Sequence, residues 1–131
     1  MSFTPEEIDY MRTQPLARVA SVDIEGQPDV VPVAFDFDGT YTNIGGFQPA
    51  NTRRHQNVSA GNRYVALVID DLVSTEPSAP RFLRIYGSAE VINGEQSHLR
   101  VTPTISWSWN LGGEPLQGGA ASAPPQRTIH R

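Results

Sequence analysis

The sequence predicts a mainly β domain: a small antiparallel sheet bent towards a barrel, with two short helices. Three observations predict it. Six or seven short apolar segments follow one another in tight succession. Turn signals such as Asp38-Gly39 and Gly61-Asn62 separate them. A chain of 131 residues, 38% of them hydrophobic, can fill one modest core, so residues 1–131 are read as a single domain.

Thr4-Pro5-Glu6-Glu7 opens a helix. Thr4 can cap it, Pro5 sits where a missing N–H costs nothing, and Glu7 completes a capping box. Ile8, Met11 and Tyr10 give it an apolar side, and Pro15 ends it. Leu16 to Val22 reads as a strand, and Glu25-Gly26 as a turn. Asp29 to Phe37 is a second strand, whose alternate residues Val31, Val33, Phe35 and Phe37 form one apolar face. Asp38-Gly39 is a hairpin signal leading into a third strand, Thr40 to Ile44. Gly45-Gly46 breaks the sheet, and Asn51 to Ala60 reads as a short polar helix.

Tyr64 to Ile69 is almost continuously apolar, which predicts burial on both faces, and Asp70-Asp71 marks its end. Glu76 to Pro80 is a loop. Phe82 to Ile92 is a long strand with a bulge or bend at Gly87. Leu99 to Trp109 is another, interrupted at Pro103. From Asn110 to Gln126 the composition shifts to Gly, Ala, Pro and Ser, which predicts a mobile loop. Arg127 to His130 returns as a short edge strand.

The formal net charge of −4 argues against non-specific binding to nucleic acid or to a membrane surface, since both want a basic surface. The absence of cysteine excludes disulfides, thiolate catalysis and cysteine–zinc sites. Met1 to Arg12 lacks the basic and apolar regions of a signal peptide, and no apolar run spans a bilayer. The expectation is a soluble, cytoplasmic protein.

The densest candidate for chemistry is Thr52-Arg53-Arg54. A hydroxyl and two guanidinium groups meet at a helix start after a Gly pair, which favours a phosphate. The competing reading is a solvated helix face with ordinary surface arginines, and local sequence alone favours it. Asp70-Asp71 alternate across a strand and so do not converge; Asp36 and Asp38 flank a turn. His55, His98 and His130 stand at no metal-ligand spacing, so no metal is assigned. No Gly-x-Ser-x-Gly occurs, and the Gly pairs at 112–113 and 118–119 lack the Gly-Lys-Ser/Thr of a P-loop. Trp107 and Trp109 alternate with Ser106 and Ser108 and therefore share a side. They suit core or interface packing, or the wall of a planar ligand's pocket.

The order of several segments carries a resemblance. These are Gln27-Pro28-Asp29-Val30-Val31-Pro32-Val33, Tyr41-Thr42-Asn43, a Gly-containing turn, Asn51-Thr52-Arg53-Arg54, and Asn57 ahead of the buried strand. Val65-Ala66-Leu67-Val68-Ile69-Asp70-Asp71 and the run from Arg100 to Trp109 follow. Together, over roughly Thr4 to Trp109, they resemble the pyridoxamine 5′-phosphate oxidase-like superfamily, whose fold is a split β-barrel, and most of all its deazaflavin-dependent branch. The resemblance implies a homodimer with two cofactor sites at the subunit interface. It implies that Thr52, Arg53 and Arg54 hold the cofactor phosphate, and that the ring lies along Val31, Pro32 and Val33. Asn43 belongs to the same pocket, and Trp109 closes it from the partner chain. Pro32 suits this physically, because proline removes a ladder donor and leaves a strand edge free.

The activity so implied is that of an oxidoreductase. It would use the reduced deazaflavin coenzyme F-420 for hydride transfer to a small electron-poor organic substrate. The cofactor carries the chemistry and no side-chain acid or base is required, so no catalytic residue is named. Two alternatives stay open: an FMN-dependent oxidase or reductase of the same fold, and a non-catalytic carrier of deazaflavin, flavin or haem.

Overall fold

The computed structural model describes residues 2–46, 48–94, 96–116 and 124–131. The Gly118-Gly119 pair and the middle of the expected 110–126 loop lie outside the described residues. Helix α1 spans Pro5–Thr13. Its capping box is formed: the Glu7 N–H donates to Thr4 Oγ1 at 3.1 Å, and the Thr4 N–H donates to Glu7 Oε1 at 2.9 Å. Strands β1 (Leu16–Val22), β2 (Pro28–Ala34), β3 (Asp36–Phe37) and β4 (Thr42–Ile44) follow. A single 3-10 turn, Pro49–Asn51, leads into helix α2 (Arg53–Ser59). The rest is β5 (Tyr64–Thr75), β6 (Ser78–Ile92), β7 (His98–Trp109) and β8 (Gln126–Ile129).

All eight strands join one antiparallel sheet in the order β2-β1-β5-β6-β7-β4-β3, with β8 on β7. The two ends of that order, β2 and β3, are separated along the chain by Phe35 alone. The sheet must therefore curl until its ends meet, which makes a barrel that stays open between them. This corrects the expectation of one continuous strand from Asp29 to Phe37, because Phe35 is the corner where the chain leaves one end of the sheet for the other. The predicted apolar face survives the corner: Val33 is buried, and Val31, Phe35 and Phe37 pack on the core. Inside lie Val19, Ile44, Leu67, Ile69, Leu83, Ile85 and Val101, with Tyr10 and Met11 of α1 against them.

The helix expected over Asn51 to Ala60 is α2 from Arg53 to Ser59, because Thr52 caps it and Asn51 belongs to the preceding turn, and three further departures each have a local reason. The third strand starts at Thr42, not Thr40, because Asp38 accepts the Thr40 and Tyr41 N–H groups and holds both in the turn. Asp70-Asp71 do not end β5, which runs on to Thr75 and turns tightly into β6, so the loop expected over Glu76 to Pro80 shrinks. Each carboxylate is held from its own face of the strand. Asp70 pairs with Arg18 at 2.6 Å, and Asp71 makes a two-pronged pair with Arg81 at 2.8 and 3.1 Å. Pro103 does not interrupt β7. Tyr86 pairs with Ile105 but Gly87 with Pro103, so Thr104 is the extra residue of a bulge.

Tyr10 adds its hydroxyl to Asp71 Oδ1 at 2.6 Å, and Arg81 also donates to the Leu111 carbonyl. This cluster ties α1 and the chain leaving β7 to the β5–β6 hairpin. The Asn110 side chain donates to the carbonyls of Pro80 and Glu114, and the Leu116 N–H donates to the Ser78 carbonyl. The stretch from Asn110 to Leu116 is thus irregular but anchored. The Arg81 guanidinium holds the Asp71 carboxyl below its usual range. A depressed carboxylate stabilises the fold above its unfolded pKa, about 3.9, and loses that contribution as pH falls through the folded value. Asp71→Asn is expected to cost about 1–3 kcal/mol at pH 7 and to flatten the loss of stability below about pH 4. Urea unfolding at pH 7 and pH 3 reads both; an acid loss as steep in the variant would show that another group controls it.

Candidate functional site

Helix α2 carries the two arginines, and β1 positions α2. Asn57 Nδ2 donates to Ser21 Oγ at 2.9 Å with both residues buried, and Asn62 Nδ2 donates to the Val22 carbonyl at 2.9 Å. Thr52 caps the helix. Its hydroxyl accepts the His55 N–H at 3.3 Å and donates its own hydrogen to the Pro49 carbonyl at 2.7 Å. Its one donor is therefore engaged, and Thr52 holds the turn that presents the arginines.

Arg53 is exposed, and its charge acts on Asp23 in the β1–β2 turn. Arg54 is half-buried and turns back under the Gly pair, donating from Nη2 to the Gly45 carbonyl at 3.2 Å. A Cβ on Gly46, whose φ is +124°, would stand 3.2 Å from the same nitrogen. Desolvation lowers the Arg54 pKa, and the charge of Asp29 on β2 opposes the shift. No carboxylate among the described residues stands at ion-pairing distance from Arg54. Among the described residues Arg54 donates to the Gly45 carbonyl alone, which leaves guanidinium donors that an anion can accept.

On the other side of Gly45-Gly46 opens a cleft of about 820 Å³, lined by Asp36, Asn43, Gln48, His98 and the Gly pair among others. That volume suits a cofactor or a multi-ring organic molecule. Asn43 directs its amide hydrogens to Asp38 at 2.9 Å and Asp36 at 3.4 Å, which leaves its carbonyl as the free acceptor. Backbone N–H groups of Tyr41 and Thr40, with the Asn43 amide, hold the Asp38 carboxyl below its usual range.

Among the described residues, strand β2 pairs only with β1. Its other edge is open, with Pro32 exposed opposite Arg18, Val31 half-buried and Val33 buried. Of the expected site residues, Asn43 lines the cleft, Arg54 adjoins it through Gly45 and Gly46, and Val31, Pro32 and Val33 lie on the separate strand β2. Trp109 is elsewhere. It stacks on Phe82 at 5.8 Å between centroids, nine residues along β7 from Arg100, the partner of Asn43. At about 3.3 Å per residue that is roughly 30 Å away. No Trp109 of the same chain reaches the cleft.

The outer face of the sheet is exposed and carries one apolar row beside one with three arginines, against the expectation that β5 is covered on both sides. Val65, Leu67 and Ile69 are buried, but Tyr64 is 69% exposed, and Ala66 and Val68 are half-buried. Across six strands the register lines up Val30, Ala20, Ala66, Tyr86, Ile105 and Ile129 in one row. The adjacent row holds Pro32, Arg18, Val68, Arg84, Trp107 and Arg127, with Arg84 lying over the Trp107 ring at 4.1 Å. Because of the bulge, Ser106 and Ser108 face inward and both tryptophans outward. Asp36 and His98 of the cleft had no signal in the sequence, since only the sheet register brings them to Asn43.

The family model for pyridoxamine 5′-phosphate oxidase matches residues 3–110. A 5a,11a-dehydrotetracycline/5a,11a-dehydrooxytetracycline reductase from Streptomyces rimosus is 32% identical over 126 residues, covering 87% of each chain. Among solved structures, a conserved hypothetical protein from Mycobacterium tuberculosis superposes with a TM-score of 0.72 at 12% identity, over 100% of this chain and 94% of that one. An F420 reductase superposes with a TM-score of 0.61 at 18% identity, over 79% and 98%. The split β-barrel expected from the sequence is the observed fold. With a family match over most of its length and a reductase as its relative, the chain belongs to the pyridoxamine 5′-phosphate oxidase family and is one of its oxidoreductases.

Proposed function

We propose that this chain is a cytoplasmic reductase that uses the deazaflavin coenzyme F-420. Arg54 carries the reading: a half-buried cation that meets no carboxylate at ion-pairing distance among the described residues fits a cofactor phosphate. Arg53, next to it and exposed, adds a second charge. The open β2 edge at Val31, Pro32 and Val33 offers main-chain groups to the rim of a planar ring. The Asn43 carbonyl accepts a hydrogen bond in the adjoining cleft, and Thr52 orients the arginines. When bound, the reduced deazaflavin supplies a hydride. The relative's substrates, by their names, are dehydro compounds, which supports a conjugated, electron-poor acceptor here.

The same reading includes a homodimer. The outward apolar row, with Val30, Tyr86 and Ile129 exposed, supports a face that a partner covers. The closing role expected of Trp109 would then fall to the partner subunit, since Trp109 of the same chain does not line the cleft. The test is fluorescence titration of the purified protein with F-420 and, in parallel, FMN, with sedimentation equilibrium on the same samples. Tight F-420 binding, weak FMN binding and a mass of two chains are expected. Preference for FMN would make this a flavin enzyme of the same fold, and a mass of one chain would exclude a site shared between subunits.

A further inference from the structure

We propose that Asn57 is a positioning residue of the anion site. Its buried hydrogen bond to Ser21 sets where Arg54 stands, and through Arg54 the affinity for a cofactor phosphate. This rests on the reading of Arg54 given above.

Helix α2 has seven residues, too few to hold a helix or an orientation by itself. Two of its residues are buried: Val58, 8% exposed, and Asn57, 5% exposed. Val58 supplies apolar contact, which resists separation but tolerates rotation. Asn57 supplies direction. Its amide reaches Ser21 Oγ at 2.9 Å on β1, where Ser21 is 1% exposed, and its backbone carbonyl accepts the Asn62 N–H at 3.1 Å. Both ends of the bond to Ser21 lie away from water, so breaking it leaves a polar group with no substitute partner.

Arg54 is one turn before Asn57, on an adjoining face of the same helix. Its guanidinium has little freedom at its far end. Gly45 takes a hydrogen bond at 3.2 Å, and a Cβ on Gly46 would stand 3.2 Å from the same nitrogen, close enough to push it aside by a few tenths of an ångström. At about 6 Å from the helix axis, a 10° rotation moves that group by about 1 Å. Such a shift breaks the contact to Gly45 and misplaces the charge for an incoming phosphate. The Asn57–Ser21 bond and the Gly45 carbonyl are thus two fixed points, with the arginine held between them.

The experiment uses FMN and riboflavin, which differ by the phosphate alone, and F-420 and its riboside, which differ by the phosphodiester and the acidic tail beyond it. F-420 is paired with its phosphate-free deazaflavin riboside, and FMN with riboflavin, each titrated against the full chain. Asn57→Ala should weaken binding of the phosphorylated member about tenfold and of the phosphate-free member less than twofold. Ser21→Ala, on a different element, should reproduce that pattern, and Ser21→Thr, which keeps the hydroxyl, should not. In an Arg54→Ala background, Asn57→Ala should add nothing further. Equal losses on both members of a pair, or a full tenfold loss on top of Arg54→Ala, would overturn the inference and leave Asn57 a plain structural residue. If Arg54→Ala itself leaves the phosphorylated probe bound as before, or wild type binds none of the four, the phosphate reading fails and the inference with it.

Discussion

Replacing Arg54 by alanine is expected to weaken binding of the phosphorylated cofactor about a hundredfold, with little effect on the fold. The magnitude comes from removing one partner of a charge-assisted contact in a partly desolvated place, about 3 kcal/mol, which is about two orders of magnitude in Kd. The fold should tolerate the change because Arg54 anchors no core residue and gives up only its contact to the Gly45 carbonyl. Arg54→Lys keeps the charge but loses the planar fork, so it should recover part of the affinity. Isothermal titration with the phosphorylated and phosphate-free ligands separates the possible outcomes. An equal loss for both would mean that Arg54 supports the Gly45-Gly46 turn and not a phosphate.

The largest expected effect on stability is at Gly87. The bulge in β7 brings the Thr102 carbonyl so close that a Cβ on Gly87 would lie 2.6 Å from its oxygen and 2.8 Å from Val101 Cγ1. The first of these is backbone, in the middle of the best-paired part of the sheet, and it cannot swing aside as a side chain would. Gly87→Ala is therefore expected to cost about 3 kcal/mol, the upper range for overpacking a core, and to lower Tm by roughly 10 °C. Thermal unfolding followed by circular dichroism checks it. A variant within a degree or two of wild type would mean that the bulge can relax, and that the close approach is not what Gly87 serves.

Local chemistry made much of this fold legible. Thr4-Pro5-Glu6-Glu7 dictates its own helix start, and the alternation of Val31, Val33, Phe35 and Phe37 marks a core face whatever the strand's course. What local patterning cannot express is partnership across the sheet. Asp70-Asp71 looks like a strand end until Arg18 and Arg81 arrive from neighbouring strands and make both carboxylates ordinary strand residues. Phe35 looks like one more member of an apolar stripe, and only the closure of the sheet makes it a corner. At the site, Arg54 and Asn43 were legible as residue types in an order. That Thr52 serves the turn, and that Trp109 belongs to a distant end of β7, follows from hydrogen bonds and register, which the order of residues does not contain.

A strand resembles a wave of period two, and Thr104 is a half-period slip in β7. Ahead of the slip, odd-numbered Leu99 and Val101 point inward; beyond it, even-numbered Ser106 and Ser108 do. One strand can therefore line the barrel beside β4 and still turn two indoles outward beside β8. Parity, not length, is the quantity this segment guards. Removing one residue between Thr102 and Ile105 would restore the phase and exchange the serine face for the tryptophan face, whereas changing the length by two would preserve both faces. The outward aromatic surface is in that sense written by a single small residue, whose hydroxyl donates to the Tyr86 carbonyl.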